Sequence, residues 1–366
     1  MTEQKNKKSI LSKIFSKKSV ALFSVLIGVL ALWYIFSQIS FESVLQTIEG
    51  ATWQQILLYI VIQVAMFFLL SYRWKLVLKS QGMKKVSLFR LNNYKLVGYG
   101  VSYITPTAKI GGEPVRAGLL STREGIHFDK ALSSVVIDKT LELTTSALFF
   151  VIGGIFMLMS FAIPKQLGIV VILVSIFFVI IFGIFNYRMI IGKSFFLKAF
   201  YLLGFSKIKK LSKFTKKLRD FEKLVIKFYH KDRKFLVYTF LVSLVSWCLM
   251  YLEFRTAGLM VGQNLSALQI FLIFSFVGAA YLVPIPMALG ALEAGQISVF
   301  SLIDVRTATG VALSLLVRLK DMIISVIGLL LLTFYGLKFK DVVKGAKRID
   351  KEIEILGDLE KNSKQE

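Results

Sequence analysis

The stretch Thr105-Pro106-Thr107-Ala108-Lys109-Ile110-Gly111-Gly112-Glu113-Pro114-Val115-Arg116 and its counterpart Pro284-Ile285-Pro286-Met287-Ala288-Leu289-Gly290-Ala291-Leu292-Glu293 lie among apolar runs, yet both are broken by proline and glycine. In each, six residues separate a proline from a glutamate, Pro106 from Glu113 and Pro286 from Glu293, with glycine in the gap. Within a membrane, backbone that leaves helical hydrogen bonding is tolerated where it is buried in protein or lines a wet cavity. The two breaks therefore decide the topology and mark the candidate site.

Composition makes this a membrane protein. Hydrophobic residues form 55% of the chain, the mean hydropathy is +0.68 and there are 32 Phe, outside the usual range of a soluble domain. Several apolar runs reach the length of about 20 residues that a spanning helix needs. The first, 20–37, follows a lysine-rich leader and lacks a small-residue cleavage pattern, so it is expected to stay as an anchor. The single cysteine, Cys248, lies in an apolar run, which excludes a disulfide framework and a thiolate cluster. His127 and His230 stand in polar loops more than a hundred residues apart, leaving little for a metal site or a Ser/His/Asp triad. No phosphate-binding loop of the GxxxxGK[ST] kind is present. No metal, cofactor or ATP hydrolysis is expected.

The net charge of +24 is grouped between apolar spans rather than spread over one basic surface, which argues against nucleic acid as a partner. By the positive-inside rule the basic leader (1–19), the segment 73–95 and the loop 187–234 face the cytoplasm, whereas 41–55, with Glu42 and Glu49 and no Lys or Arg, is external. Spans follow at 56 to about 70, 131–160, 166–185, 235–258 and 310–335. The run 96–120 has basic flanks on both sides (Arg90, Lys95, Arg123, Lys130), which implies a re-entrant hairpin. Lysines follow the last span, so parity has 269–303 enter and leave from the outside, inverted relative to the first hairpin. The expectation is an all-α polytopic bundle of about six full spans and two inverted re-entrant hairpins. Residues 20–337 form the transmembrane domain, 338–366 a charged cytoplasmic tail, and both termini are cytoplasmic in the plasma membrane. Discontinuous helices of this kind place transporter sites near the midplane; the plainer alternative is two packed helices kinked by Pro and Gly.

An ionisable residue in hydrocarbon costs about 2.5–3.5 kcal/mol on insertion scales, so each needs a partner, water or a task. In the first motif Lys109, Glu113 and Arg116 combine with backbone freed by Gly111, Gly112 and Pro114. Arg offers phosphate a planar fork, Lys a point charge, and a helix beginning near Glu113 or Pro114 its positive end. Alternatively the two cations snorkel to the cytoplasmic surface. Glu293, with no cation near it, suits a cationic headgroup, a proton, or a protonated acid bonded to backbone left open by Pro284, Pro286 and Gly290. Asp138 and Glu142 share a helical face and are placed to hold Lys109 or Arg116. Arg318 and Asp321 are three apart and either staple the bundle or serve the cavity, while Glu253 and Arg255 sit near the external interface. The loop 187–234 mixes lysines with Phe195, Phe196, Phe200, Phe205, Phe214, Phe221 and Phe228, as expected of amphipathic helices on anionic inner-leaflet lipid.

The run 111–120 (Gly-Gly-Glu-Pro-Val-Arg-Ala-Gly-Leu-Leu), together with 288–295 (Ala-Leu-Gly-Ala-Leu-Glu-Ala-Gly), resembles the flippase-like transmembrane region of lysylphosphatidylglycerol synthase, also called the multiple peptide resistance factor flippase domain. The resemblance covers roughly residues 18–337. It departs from many members at Ala288 and Leu289, where they have glycine. It implies a bundle with two re-entrant helix pairs that moves a phospholipid such as phosphatidylglycerol or its lysyl derivative between leaflets. In bifunctional relatives a soluble C-terminal domain transfers lysine to the lipid. Only 338–366 follows the last span here, so this chain alone is not expected to perform that transfer.

The leading expectation is therefore lipid translocation, with membrane phospholipids as partners, Lys109 and Arg116 on phosphate and Glu113 and Glu293 organising the cavity. Two other classes stay open: a headgroup transferase, or accessory subunit of lipid aminoacylation, using Glu113 or Glu293 as base, and a small-solute or ion carrier on the same scaffold. Homo-oligomerisation is open too.

Overall fold

The computed structural model describes residues 49–83, 85–105, 111–161, 165–204, 215–280, 299–300 and 307–335. Among these the chain is helical and has no strand. The helices are α1 Trp53–Ser80, α2 Leu88–Ile104, α3 Glu113–Glu124, α4 Phe128–Ser160, α5 Lys165–Ile190, α6 Phe196–Leu202, α7 Thr215–Ile226, α8 Arg233–Met260, α9 Ala267–Ala280 and α10 Thr307–Phe334, with a π-helical turn Lys227–Lys231 between α7 and α8. The segments Trp53–Ser80, Phe128–Ser160, Gly168–Ile190 and Arg233–Met260 are long and apolar enough to cross a membrane.

Burial is inverted relative to a soluble protein. Leu173 and Met159 are 60% and 79% exposed, while Arg73 and Asp138 are 1% and 0% exposed. Apolar side chains outside and charges inside are what lipid as solvent selects.

Local sequence sets the ends. Thr52 and Gln55 cap α1 reciprocally: the Gln55 N–H donates to Thr52 Oγ1 at 3.4 Å and the Thr52 N–H to Gln55 Oε1 at 2.9 Å. Gly125, at φ 65°, supplies the left-handed residue that ends α3.

Two antiparallel pairs dominate the packing. Tyr59 and Arg73 of α1 meet Glu253 and Ser243 of α8, and Asn93 and Tyr99 of α2 meet Tyr335 and Asp321 at α10. The second pair approaches through glycine. A Cβ at Gly328 would run into the Leu96 carbonyl, and one at Gly100 would lie 2.7 Å from the Ser325 carbonyl oxygen.

The first broken stretch folds α3 back along α2. The Gly112 N–H donates to Ser102 Oγ at 2.8 Å, and further along the Tyr94 hydroxyl donates to Glu124 at 2.8 Å. A Cβ at Gly112 would overlap the Gly98 carbonyl, so this crossing requires glycine.

The structure extends several sequence expectations. The second span, expected to end near 70, continues to Ser80, because Trp74, Val77 and Leu78 keep the helical apolar period. Residues 73–80 are thus helix, not cytoplasmic loop, and Lys95 lies buried within α2. The basic loop contains α6, α7 and the π turn. Pro106, Lys109, Pro284, Pro286, Gly290 and Glu293 lie outside the described residues, as do 1–48 and 336–366.

Because overpacking costs about 1–3 kcal/mol or more, Gly328→Leu is expected to lower the melting temperature of the detergent-purified protein. Gly183→Leu, at a glycine with open space around it, should leave it unchanged. Equal shifts in the two variants would contradict the α2–α10 packing.

Candidate functional site

Asp138 of α4 is fully buried and binds cations from three other helices. Its Oδ1 accepts from Arg73 Nε of α1 at 2.8 Å, and its Oδ2 accepts from Lys95 Nζ of α2 at 3.0 Å and Arg116 Nη2 of α3 at 2.8 Å. Arg73 Nη2 also donates to the Asp138 carbonyl at 3.2 Å, Arg73 Nη1 to Ser243 Oγ at 3.2 Å, and Lys95 Nζ to the Leu70 carbonyl at 3.0 Å. The Arg116 guanidinium lies 4.3 Å over the Trp74 ring, whose Nε1 donates to Ser134 Oγ at 3.1 Å. Buried charge is stable only when paired and hydrogen-bonded, and this carboxylate meets that condition with donors on both oxygens.

A second layer adjoins it. Lys139 Nζ is 2.7 Å from Glu142 Oε1 and 3.8 Å from Glu113 Oε1, and Glu142 Oε2 is 3.6 Å from Arg73 Nη2. The set holds four cations (Arg73, Lys95, Arg116, Lys139) and three carboxylates (Asp138, Glu142, Glu113). Two buried atoms beside the break, Glu113 Oε2 and Arg116 Nε, make no hydrogen bond among the described residues. They sit in the first turn of α3, which starts at Glu113 with Pro114 in its first positions. A surplus cation, an unused guanidinium N–H and a helix N-terminus together favour an anion, and the unused carboxylate oxygen favours a donor beside it.

Another ionic cluster joins the two helix pairs. Lys320 Nζ of α10 is 2.6 Å from Glu253 Oε1 of α8 and 3.5 Å from Asp321 Oδ1. The Tyr99 hydroxyl donates to Asp321 at 2.6 Å, and the Tyr59 hydroxyl lies 3.5 Å from Glu253.

The expectation that Asp138 holds Arg116 agrees with this geometry, and Glu142 joins through Arg73 and Lys139. Glu253 and Arg255, both expected near the external interface, differ: Glu253 is buried against Lys320 and Arg255 is exposed, because two positions on a helix point about 200° apart. Asp321 engages Tyr99 and Lys320, and Arg318 is buried in the same helix. Arg73, Lys95, Trp74 and Lys320 were missed as site residues. The first three fell in a segment read from charge as a cytoplasmic loop; the helical spacing of Trp74, Val77 and Leu78 was the available signal.

Removing one partner of a buried ion pair costs about 3–5 kcal/mol, so Asp138→Asn should sharply reduce folded, monodisperse protein. Glu142→Gln, with its side chain 37% exposed, should cost much less. Adding Arg116→Gln to Asp138→Asn should recover part of the loss; wild-type stability of Asp138→Asn would refute the arrangement.

Comparison with known proteins agrees with a membrane bundle. The family described as Lysylphosphatidylglycerol synthase TM region matches residues 21–350. A UPF0104 membrane protein of Methanothermobacter thermautotrophicus is 24% identical over 326 residues, covering 85% of this chain and 94% of the relative. One from Pyrococcus horikoshii is 22% identical over 309 residues, 81% of this chain and 91% of the relative. One from Methanocaldococcus jannaschii is 30% identical over 147 residues, 39% of this chain and 42% of the relative. No solved structure matches the chain significantly. The protein belongs to the lysylphosphatidylglycerol synthase transmembrane-region family.

Proposed function

We propose that the protein translocates a phospholipid headgroup between leaflets of the plasma membrane, with the phosphate taken up beside Arg116 and Lys139 and the acyl chains left in the bilayer. The observation that carries this reading is the surplus of buried cations around Asp138, with Arg116 Nε and Glu113 Oε2 unused, at the start of α3. Lys109, three residues before Gly112, would add a second contact to phosphate.

The proposed topology is about six full spans and two inverted re-entrant hairpins, with both termini cytoplasmic. Its support is dimensional. α2 and α3, with 17 and 12 residues, are about 25 and 18 Å long at 1.5 Å per residue, short of the ~30 Å hydrocarbon core. An antiparallel pair of that length enters and leaves on one face. On this reading Glu293 and the backbone around Pro284, Pro286 and Gly290 form the opposed half of the path, and Arg318 and Asp321 line it.

The same cation set accepts a soluble anion, so a solute carrier is the competing function. Protein in liposomes should accelerate dithionite-accessible exchange of labelled phosphatidylglycerol. Arg116→Gln should slow that exchange about tenfold or more, since a hydrogen bond to a charged group is worth about 1.5–3 kcal/mol, while remaining folded, because Asp138 keeps Arg73 and Lys95. No acceleration with any phospholipid or polyprenyl phosphate would refute lipid translocation. Uptake of soluble phosphate without lipid exchange would assign the site to a carrier.

A further inference from the structure

The segment 188–234 carries fifteen Lys or Arg against three Asp or Glu, half of the chain's net charge of +24. Its described parts are folded. Glu222 of α7 is buried and accepts the backbone N–H groups of Phe195 and Phe196 at 2.6 Å each, which pins the start of α6 to α7. Phe185, Phe195, Phe196 and Phe221 pack edge to face around that contact. The acid that would offset the basic surface is thus spent inside.

Two features are left on the outside. On α7, Lys216, Arg219 and Lys223 are exposed at helical spacing, with Val225 buried on the far side of the helix, and Asp220 is held by Lys223 at 2.9 Å. At the end of α6, Tyr201, Leu202 and Leu203 are 47%, 83% and 66% exposed, next to exposed Lys198. An apolar tip among cations with few free acids matches the composition of an anionic lipid surface, with tails for the tip and headgroups for the lysines. A protein partner would need acidic groups around an apolar socket; the two spans that bracket the unit, α5 and α8, already put the leaflet beside it.

We propose that the α6–α7 unit is a docking surface for anionic phospholipid of the inner leaflet, with Tyr201, Leu202 and Leu203 inserted and Lys198, Lys216, Arg219 and Lys223 on the headgroups. The inference rests on the topology proposed above and not on transport. Docking has a route to the ionic site. Val225, Phe228 and Tyr229 pack with Val77, Ile137 and Leu141, and the Tyr229 hydroxyl is 2.9 Å from Thr140 Oγ1, two residues from Asp138.

The test uses the full chain with Leu202→Cys in a Cys248→Ser background, since Cys248 is exposed. An environment-sensitive fluorophore is attached at position 202 and the protein placed in nanodiscs of phosphatidylcholine alone or of an equal mixture with phosphatidylglycerol. Emission should shift to the blue and be quenched by brominated acyl chains in the mixed discs and not in phosphatidylcholine. Each of Lys198→Gln, Lys216→Gln, Arg219→Gln and Lys223→Gln should weaken docking about fivefold, so the fourfold variant should lose the shift. A water-like emission in both discs, or equal quenching in both, would overturn the proposal. Lipid exchange measured on the same samples reads the transport function separately.

Discussion

One buried carboxylate sets the register of this bundle. Helices in lipid gain little from burying apolar surface, because the tails outside are as apolar as the side chains inside. Specific polar contacts must then fix which helix lies where. Asp138 ties α4 to α1, α2 and α3 through Arg73, Lys95 and Arg116, and Arg73 extends the tie to α8 through Ser243. Each of those cations would be costly in hydrocarbon without it. The close glycine crossings, Gly112 on Gly98 and Gly328 on Leu96, complete the framework by allowing backbones to touch beside these polar contacts.

The hub does more than neutralise. With Lys139 and the carboxylates of Glu113 and Glu142 included, four cations face three anions, and the unused atoms lie at the break where α3 begins. The Glu253–Lys320 pair, by contrast, is closed on itself by Tyr59, Tyr99 and Asp321 and joins α8 to α10. One ionic cluster has unfilled hydrogen-bonding capacity and the other serves as a tie. That asymmetry is what favours the first broken stretch for the proposed headgroup contact.

Much of this was legible in the sequence, for physical reasons. Apolar runs and the punctuation by Pro and Gly indicate the helices, since only helices and closed barrels satisfy the backbone in lipid and continuous runs of about 20 apolar residues suit the helix. The turn at Gly111 and Gly112, the start of α3 at Glu113 and the involvement of Arg116 with Asp138 followed from motif and spacing. Arg73 and Lys95 were not legible because the positive-inside rule counts charges without asking whether an acid elsewhere in the fold can neutralise them. Asp138 lies 65 residues from Arg73 in the chain. Long-range pairing likewise hid the partner of Glu253, which is Lys320 on another helix.

The central claim, that the unfilled cations beside Asp138 receive a lipid phosphate, is tested most directly by native mass spectrometry of the purified protein. A phosphate-bearing lipid should be retained by the wild type at higher collision energy than by Arg116→Gln, with Arg255→Gln, at an exposed position on α8, retaining it like the wild type. Retention of no phospholipid, or retention unaffected by Arg116→Gln, would contradict it.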